Sequence, residues 1–396
     1  MYSFRYTGCL FVSVLFSVVG ILHSASLQPI DGTFQALAQS NDRVFGLDSG
    51  SILSSDDGGS TFSEIYEIVG GSDDRYFTIA ALNTIVVAAG TDGLIALSSN
   101  HGSTWDGSVN SDFIQGDLKA IAARELSSPS NQQWVAAGND GDDGVIFVSQ
   151  NNGLSWVRNN SGSKFENMDF SGAVWTGSAW LVCGLKSQIA EGASDYSGVI
   201  FRSMDASTWT LIGDVYPAPL LALASDGAGE VLAVGEGGLI LRSDDHGLSF
   251  DRIDQSSISE DLSSVVALET GEFMIGSDGK GVFQSSGALV SVLQPAAGGA
   301  PGVEALLLNG DTVLLGGAFV SAERMLPFDL DILKMEGFLR LSVDEAISGK
   351  VYLLESSENL ESWQVVPNTS RAGSNASLMW NLPTDGTQRF WRATEF

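Results

Sequence analysis

The sequence predicts an all-β fold made of seven copies of one four-stranded antiparallel sheet, and three observations predict it. A glycine ends an apolar segment at Gly46, Gly90, Gly138, Gly184, Gly235, Gly276 and Gly316, at intervals of 44, 48, 46, 51, 41 and 40 residues. A short Ser/Asp/Gly turn followed by an aromatic residue recurs between these markers. Glycine supplies 46 of the 396 residues and proline only 9, the balance expected of many tight turns between short strands. A period near 45 residues is that of a four-stranded blade, so seven markers predict a seven-bladed β-propeller. The predicted organisation is a signal peptide over 1–26, the propeller over 27–334 and a small C-terminal β module over 335–396.

The N-terminus reads as an address. Arg5 is the only charged residue before an apolar run over 9–22, and His23-Ser24-Ala25-Ser26 supplies small residues suited to cleavage near Ala25 or Ser26. The expected location is therefore secreted or cell envelope, extracellular or periplasmic, and no later stretch is long and apolar enough to span a bilayer. Removing the signal leaves Cys183, in an apolar segment, as a buried strand residue, and His101 and His246 as the remaining histidines. That inventory argues against a Ser-His-Asp triad, a Cys-His pair or a multi-histidine zinc site.

Each repeat is expected to begin with an inner strand rich in small apolar residues, over 34–38, 77–81, 119–123, 221–224 and 265–268, suited to crowding around an axis. The turns are Ser55-Asp-Asp-Gly-Gly-Ser-Thr-Phe62, Ser98-Ser-Asn-His-Gly-Ser-Thr-Trp105, Ser149-Gln-Asn-Asn-Gly-Leu-Ser-Trp156 and Ser243-Asp-Asp-His-Gly-Leu-Ser-Phe250, with a shortened copy at Ser203-Met-Asp-Ala-Ser-Thr-Trp209. This Ser-x-Asp/Asn-x-Gly-x-Ser/Thr-Trp/Phe pattern resembles the Asp-box, or BNR, repeat of sialidase-like propellers. Physically, Asp57, Asn100, Asn151, Asp205 and Asp245 are expected to clamp backbone N–H groups, the glycine to take positive φ, and the aromatic ring to return to the core. The sixth repeat keeps only a remnant at 283–287, the seventh has no box, and its missing outer strand is expected from the mature N-terminus around 27–30. After residue 335, strands are expected over 338–342, 351–355, 363–366, 377–380 and 389–392. Tyr352-Leu-Leu-Glu-Ser-Ser-Glu-Asn-Leu-Glu-Ser-Trp363 and the closing Arg389-Phe-Trp-Arg392 resemble a module that ends many secreted bacterial proteins and implies no chemistry.

A formal charge of −29 argues against nucleic acid and anionic membrane surfaces as partners. The acidic groups sort onto two sets of loops sharing one face. Loops between second and third strands carry Asp48, Asp92, Asp140, Asp142, Asp143, Glu236 and Asp278. Segments leading into inner strands carry Asp73, Asp74, Arg75, Tyr76, Asp112, Asp117, Glu166, Asp169, Asp214, Tyr216, Glu260 and Asp261. The sequence Asn139-Asp-Gly-Asp-Asp-Gly144 looks like a calcium loop but aligns with ordinary hairpin turns of other repeats and lacks the distal Glu of an EF-hand. An insertion over 185–197, containing Lys186, Glu191, Asp195 and Tyr196, is the most distinctive loop. The candidate binding residues are Asp92, Asp140, Asp143, Lys186, Tyr196, Glu236 and Asp278; no metal and no cofactor is expected.

The sialidase resemblance implies an arginine triad, a Tyr/Glu pair and an Arg-Ile-Pro signature. No Arg-Ile-Pro occurs here, and Arg202 and Arg242 sit in strands just before box serines, which leaves Arg75 as the loop candidate. Asp-box xyloglucanases and photosystem II assembly factors are similar in repeat style, the former usually with two propellers and the latter with an Arg-rich face. The expected function is a non-catalytic binding or scaffold module for a glycan or an extracellular protein. The alternatives are a glycoside hydrolase run by two carboxylates on a neutral polysaccharide and a cation-binding structural protein of the envelope. Fold alone does not choose among them.

Overall fold

The computed structural model describes residues 12–13, 26–30, 34–48, 51–67, 74–107, 116–126, 131–159, 162–190, 193–253, 258–268, 272–278, 281–286, 289–292, 303–309 and 312–316, with shorter strand segments from 330 to 395. The chain divides into two compact units, one of 29–309 with 314–319, the other of 320–396 with 1–28 and 310–313.

In the first unit the repeats fold as separate antiparallel sheets, none of them closed on itself. Sheet 1 is Ala36–Ser40, Arg43–Asp48, Ser51–Ser55 and Ser63–Glu67; sheet 2 is Tyr76–Leu82, Ile85–Gly90 and Ile95–Ser98, with a lone bridge from Leu97 to Asp106 where a fourth strand would lie. Sheet 3 is Leu118–Glu125, Gln132–Asp140, Asp143–Ser149 and Val157–Arg158; sheet 4 is Met168–Trp175, Trp180–Ala190, Ala193–Ser203 and Thr210–Leu211. Sheet 5 is Leu220–Ser225, Val231–Gly235, Ile240–Ser243 and Asp251–Arg252; sheet 6 is Leu262–Ala267, Phe273–Ser277, Gly281–Ser286 and Leu289–Val292. A three-stranded sheet orders Ser26–Pro29, Thr312–Gly316 and Ala305–Asn309, and Ile30 N donates to Leu315 O at 3.1 Å. Sheet 6 thus has all four strands, and of the remnant expected over 283–287 residues 283–286 are the end of its third strand, paired with Leu289–Val292, while residue 287 lies outside the described residues.

The first strand of each sheet packs against the first strand of the next, from Ala36–Ser40 to Ala305–Asn309, and Ala305–Asn309 packs against Ala36–Ser40. The reason is compositional. Alanines and other short side chains on these strands let sheets approach at one edge, while Val/Ile/Leu-rich second strands such as Ile85–Gly90 and Val231–Gly235 are buried throughout. Apolar layers fill the space between neighbouring sheets. The layer joining sheets 3 and 4 contains Val135, Ile146, Phe165, Phe170, Phe201 and Trp209. Its phenylalanines meet edge to face, Phe165 standing 5.2 Å from Phe170 and 5.1 Å from Phe201, a geometry that adds about 0.5–1.5 kcal/mol per pair.

The marker glycines have a steric cause. A Cβ at Gly90, Gly138, Gly184 or Gly235 would overlap the backbone carbonyl of Arg75, Asp117, Asp169 or Pro219, the residue just before or at the start of the first strand of the same sheet. The first strand bulges here, with register shifts between Tyr76 and Thr78, Leu118 and Ala120, Phe170 and Gly172, and Leu220 and Ala222. The bulged residue reaches the next sheet. Ser171 Oγ donates to Leu220 O at 2.7 Å, Ser263 Oγ to Val303 O at 2.7 Å, and Lys119 Nζ to Asp169 Oδ2 at 2.5 Å.

The second unit is also β. Leu330–Met335, Phe338–Ala346 and Ala376–Pro383 form one sheet; Phe390–Glu395 and Val351–Ser357 form another with Val12–Ser13, Gln364–Val365 and Arg371–Ala372. The strand Leu330–Met335 precedes the compositional boundary at 335. Among the described residues no helix is long and apolar enough to cross a membrane.

Candidate functional site

The repeated turns show why their residue types recur. Buried Ser55 Oγ accepts from Gly59 N at 2.8 Å and donates to Asp57 Oδ1 at 2.6 Å, while Asp57 Oδ1 accepts from Thr61 N at 2.9 Å and Oδ2 from Thr61 Oγ1 at 2.7 Å. Asn100, Asn151 and Asp245 repeat this with Ser98, Ser149 and Ser243, and Asp205 holds Ser207 N and Thr208 N at 2.8 Å. Each of the five side chains closes its own turn through these bonds. The indole N–H of Trp105, Trp156 and Trp209 returns to the turn, donating to Gly102 O, Gly153 O and Ala206 O. The residue before the glycine is left-handed as well, with φ of 53° at His101, 62° at Asn152 and 59° at His246. Those histidines fasten sheets together. His246 Nδ1 donates to Thr176 O at 2.8 Å, and Arg202 Nε and Arg43 Nη1 donate to the His246 and His101 carbonyls.

These bonds favour the carboxylate form of the clamps. Hydrogen bonds from Ser55 and Thr61 bring Asp57 down to about 2; at Asp245 burial opposes the shift, yet bonds from Ser249, Ser243 and Leu248 bring it to about 2; backbone N–H of Thr208 and the groups of Ser207 lower Asp205 further. A lowered folded pKa stabilises above the unfolded carboxylate value, about 3.9, and that contribution is lost as pH falls through the folded value. Melting temperature should fall between about pH 4 and pH 2. A protein carrying Asp57→Asn, Asp205→Asn and Asp245→Asn should show a shallower fall, because Asn already serves at positions 100 and 151; equal slopes would contradict it.

The end of the first unit opposite these turns is formed by the hairpins between second and third strands and by the chain leading into each first strand, which antiparallel register brings together, as at Leu118↔Gly138. Asp92 is exposed in the turn Thr91–Gly93 with φ 50°, and Glu236 is exposed in the equivalent turn Glu236–Gly238. Asp278 is exposed, and its N donates to Asp261 O at 2.9 Å. Asp140 and Asp143 flank a two-residue turn, so the calcium-like segment is a tight hairpin. Asp140 pairs with Arg158 at 2.7 Å, and Asp143 Oδ1 accepts from Asn167 N of the following repeat at 3.0 Å. Asp261 Oδ1 likewise accepts from Gly237 N of the preceding sheet at 2.9 Å. Asp73, Asp112 and Glu191 lie outside the described residues. The acidic side chains are thus distributed around the hairpin ends, several of them joining successive sheets; the structure does not bring the candidate residues into one cluster. Among the described residues no group of three or more His, Cys, Asp or Glu is arranged to hold a metal.

The expected loop over 185–197 is instead strand. Trp180–Ala190 and Ala193–Ser203 pair without a register shift out to Ala190↔Ala193, placing Lys186 opposite Ser197 and Tyr196, 46% exposed, opposite Ser187. The insertion has too little proline and too much in-register β pattern to remain a loop. Cys183 is fully buried beneath it, and burial pushes its thiol up to about 12, the state of a packing residue.

Two features carried no sequence motif. A lateral groove of about 690 Å³ runs between sheets 3 and 4, lined by Val148, Val157, Arg158, Asn159, Lys164 and Thr208 among others. Asn159 Nδ2 crosses it to the Ala206 and Ser207 carbonyls. On the facing first strands, the Arg124 guanidinium lies 4.1 Å from the Trp175 ring centroid, and burial lowers its pKa. Only the pairing of adjacent sheets puts these groups together, at separations of about fifty residues.

No family model matches the chain, and no curated protein matches it. Among solved structures it is similar to the extracellular domain of the one-component system BT4673 from B. thetaiotaomicron, at 11% identity and TM-score 0.52 over 90% of this chain and 45% of that one. It is also similar to the GH74 enzyme of Niastella koreensis, at 14% identity and TM-score 0.49 over 90% and 54%, and to YCF48 bound to D1 peptide, at 17% identity and TM-score 0.45 over 66% and 79%. The chain spans about half the length of the first two. Likeness at these identities concerns fold alone. The successive packing of antiparallel sheets by their first strands defines a β-propeller.

Proposed function

We propose that this chain is an exported, non-catalytic recognition propeller with seven blades, related in repeat style to Asp-box proteins, that binds a glycan or an extracellular protein. Sheets 1 to 6 are its first six blades, and Ala305–Asn309, Thr312–Gly316 and Ser26–Pro29 the seventh. The supporting observation is how the hairpin-end carboxylates are used. Asp140, Asp143, Asp169 and Asp261 each hold an arginine, a lysine or a backbone N–H, three of them in a neighbouring repeat. They act as fasteners of a rigid rim.

Export places the mature N-terminus near residue 26, within Ser26–Pro29, and removes Val12–Ser13 from the C-terminal sheet. The expected result is protein in the medium or envelope fraction whose N-terminus lies at 25–27, giving saturable signals on a glycan or extracellular-protein array and releasing no reducing sugar from the polysaccharides it binds. Sugar release abolished by Asp92→Asn or Glu236→Gln would replace this reading with the hydrolase.

A further inference from the structure

Among the described residues, the long hairpin of sheet 4 has a stretch of strand edge without a partner strand. Its second strand is paired on the inner side to Met168–Trp175 only as far as Lys186, with Ser187 N donating to Asn167 O. Its third strand is paired on the outer side to Thr210–Leu211 and then, by a single antiparallel bridge, Gly198 to Tyr216, with N–H···O bonds of 2.9 and 2.8 Å in both directions. Beyond that bridge the hairpin continues to Ala193, and no described residue pairs with its outer edge. The cause is in the sequence. Tyr216 is followed by Pro217-Ala218-Pro219, whose two prolines fix the backbone direction, and the chain departs to begin sheet 5 at Leu220.

Register determines which groups the edge presents. In an antiparallel hairpin, backbone groups point alternately toward the partner strand and away from it. Gly198 points outward, since it bonds Tyr216, so Tyr196 and Ser194 also direct both N–H and C=O outward. Together they offer four hydrogen-bonding groups in a row. Open edges are ordinarily blunted by lysine, proline or a bulge; Ala193-Ser194-Asp195-Tyr196-Ser197 contains no lysine or proline, and its pairing with Lys186–Ala190 is regular. Exposed apolar residues occur on the edge strand and on the chain that pairs with it, Tyr196 at 46%, Leu211 at 39% and Val215 at 43%.

We propose that this edge, at Ser194 and Tyr196, takes up an extended basic segment of a partner protein as an added β-strand. Main-chain bonds would supply the attachment, and alternate side chains the selectivity. The preference for a basic segment follows from Asp214, two residues before the bridge residue Tyr216, on a chain of net charge −29. The inference rests on the binding-protein reading and narrows its partner to a polypeptide.

The experiment uses the full chain and a fluorescent eight-residue peptide alternating Lys and Val. Anisotropy should show saturable binding that weakens at least tenfold in Ser194→Pro, which removes an outward N–H and no hairpin bond, and changes less than twofold in Ile189→Pro, the equivalent change on the opposite edge. A fully N-methylated Lys/Val peptide should bind at least tenfold more weakly to the unaltered protein, which decides the matter even where Ser194→Pro does not fold. Absence of binding, equal binding of the methylated peptide, or an unchanged Ser194→Pro protein would overturn the proposal. Array binding of glycan that survives in Ser194→Pro would leave the broader recognition function standing while the edge proposal fails.

Discussion

The Gly138→Val protein is expected to lose about 3 kcal/mol or more of stability, the cost typical of forced overpacking at a site that cannot relax. Gly138 faces the Asp117 carbonyl and the Leu118 Cα across the bulge, and both obstacles are backbone. The neighbouring residue adds a constraint, since Asn139 N donates to Asp117 O at 3.0 Å and Asn139 Oδ1 accepts from Asp117 N at 2.8 Å. Moving Asp117 away would break both bonds at the place where sheets 3 and 4 join through Lys119. Gly141 is the control. It has φ 66° but nothing within 4 Å of a new Cβ, so Gly141→Ala should cost only about 1–2 kcal/mol, the conformational penalty of an L-residue there. Urea denaturation of both variants tests the distinction; a Gly138→Val protein within 1 kcal/mol of the parent would show that the close approach is not needed.

Trp209→Ala is expected to cost about 3–5 kcal/mol, the range for deleting a large buried aromatic side chain. Trp209 is 1% exposed, packs in the layer with Phe165, Phe170 and Phe201, and donates its indole N–H to Ala206 O at 3.2 Å. The shortened turn around it has no glycine, and Ala206 adopts φ 61°, so the ring compensates for a strained backbone as well as filling the core. Trp209→Phe should retain most of the apolar contact while losing the indole bond, at a cost of about 1 kcal/mol. Thermal melts followed by near-ultraviolet dichroism separate the two. Near-equal costs for Ala and Phe would place the contribution in the hydrogen bond and contradict the packing argument.

Local chemistry explains what could be read in advance. The clamp residues Asp57, Asn100, Asn151, Asp205 and Asp245 act within four residues of themselves, so their pattern is complete in the linear sequence. The glycine period is legible for the same reason, though its cause, a carbonyl some fifteen to twenty residues earlier, is not. The expectation that the acidic residues share one end rests on the usual loop arrangement of a propeller rather than on any local pattern. What escaped was whatever depends on two sheets at once. Asp143 meets Asn167, Asp261 meets Gly237 and Arg124 meets Trp175 only after neighbouring repeats pack, and no periodicity announces those pairs. The segment 185–197 exceeds the repeat and so reads as a loop in the sequence; its lack of proline lets 185–190 and 193–197 continue the two strands.

The bulge residues bear on how such a chain could have grown. Ser171, Ser263 and Lys119 each belong to one copy of the repeat, while their acceptors Leu220, Val303 and Asp169 belong to the next. Ser171 and Ser263 bond main-chain oxygens, which every copy possesses whatever its side chains. A duplicated segment would therefore arrive with a donor for its successor and an acceptor for its predecessor already in place. Descendants could then diverge in every exposed side chain while the joints between copies stayed interchangeable.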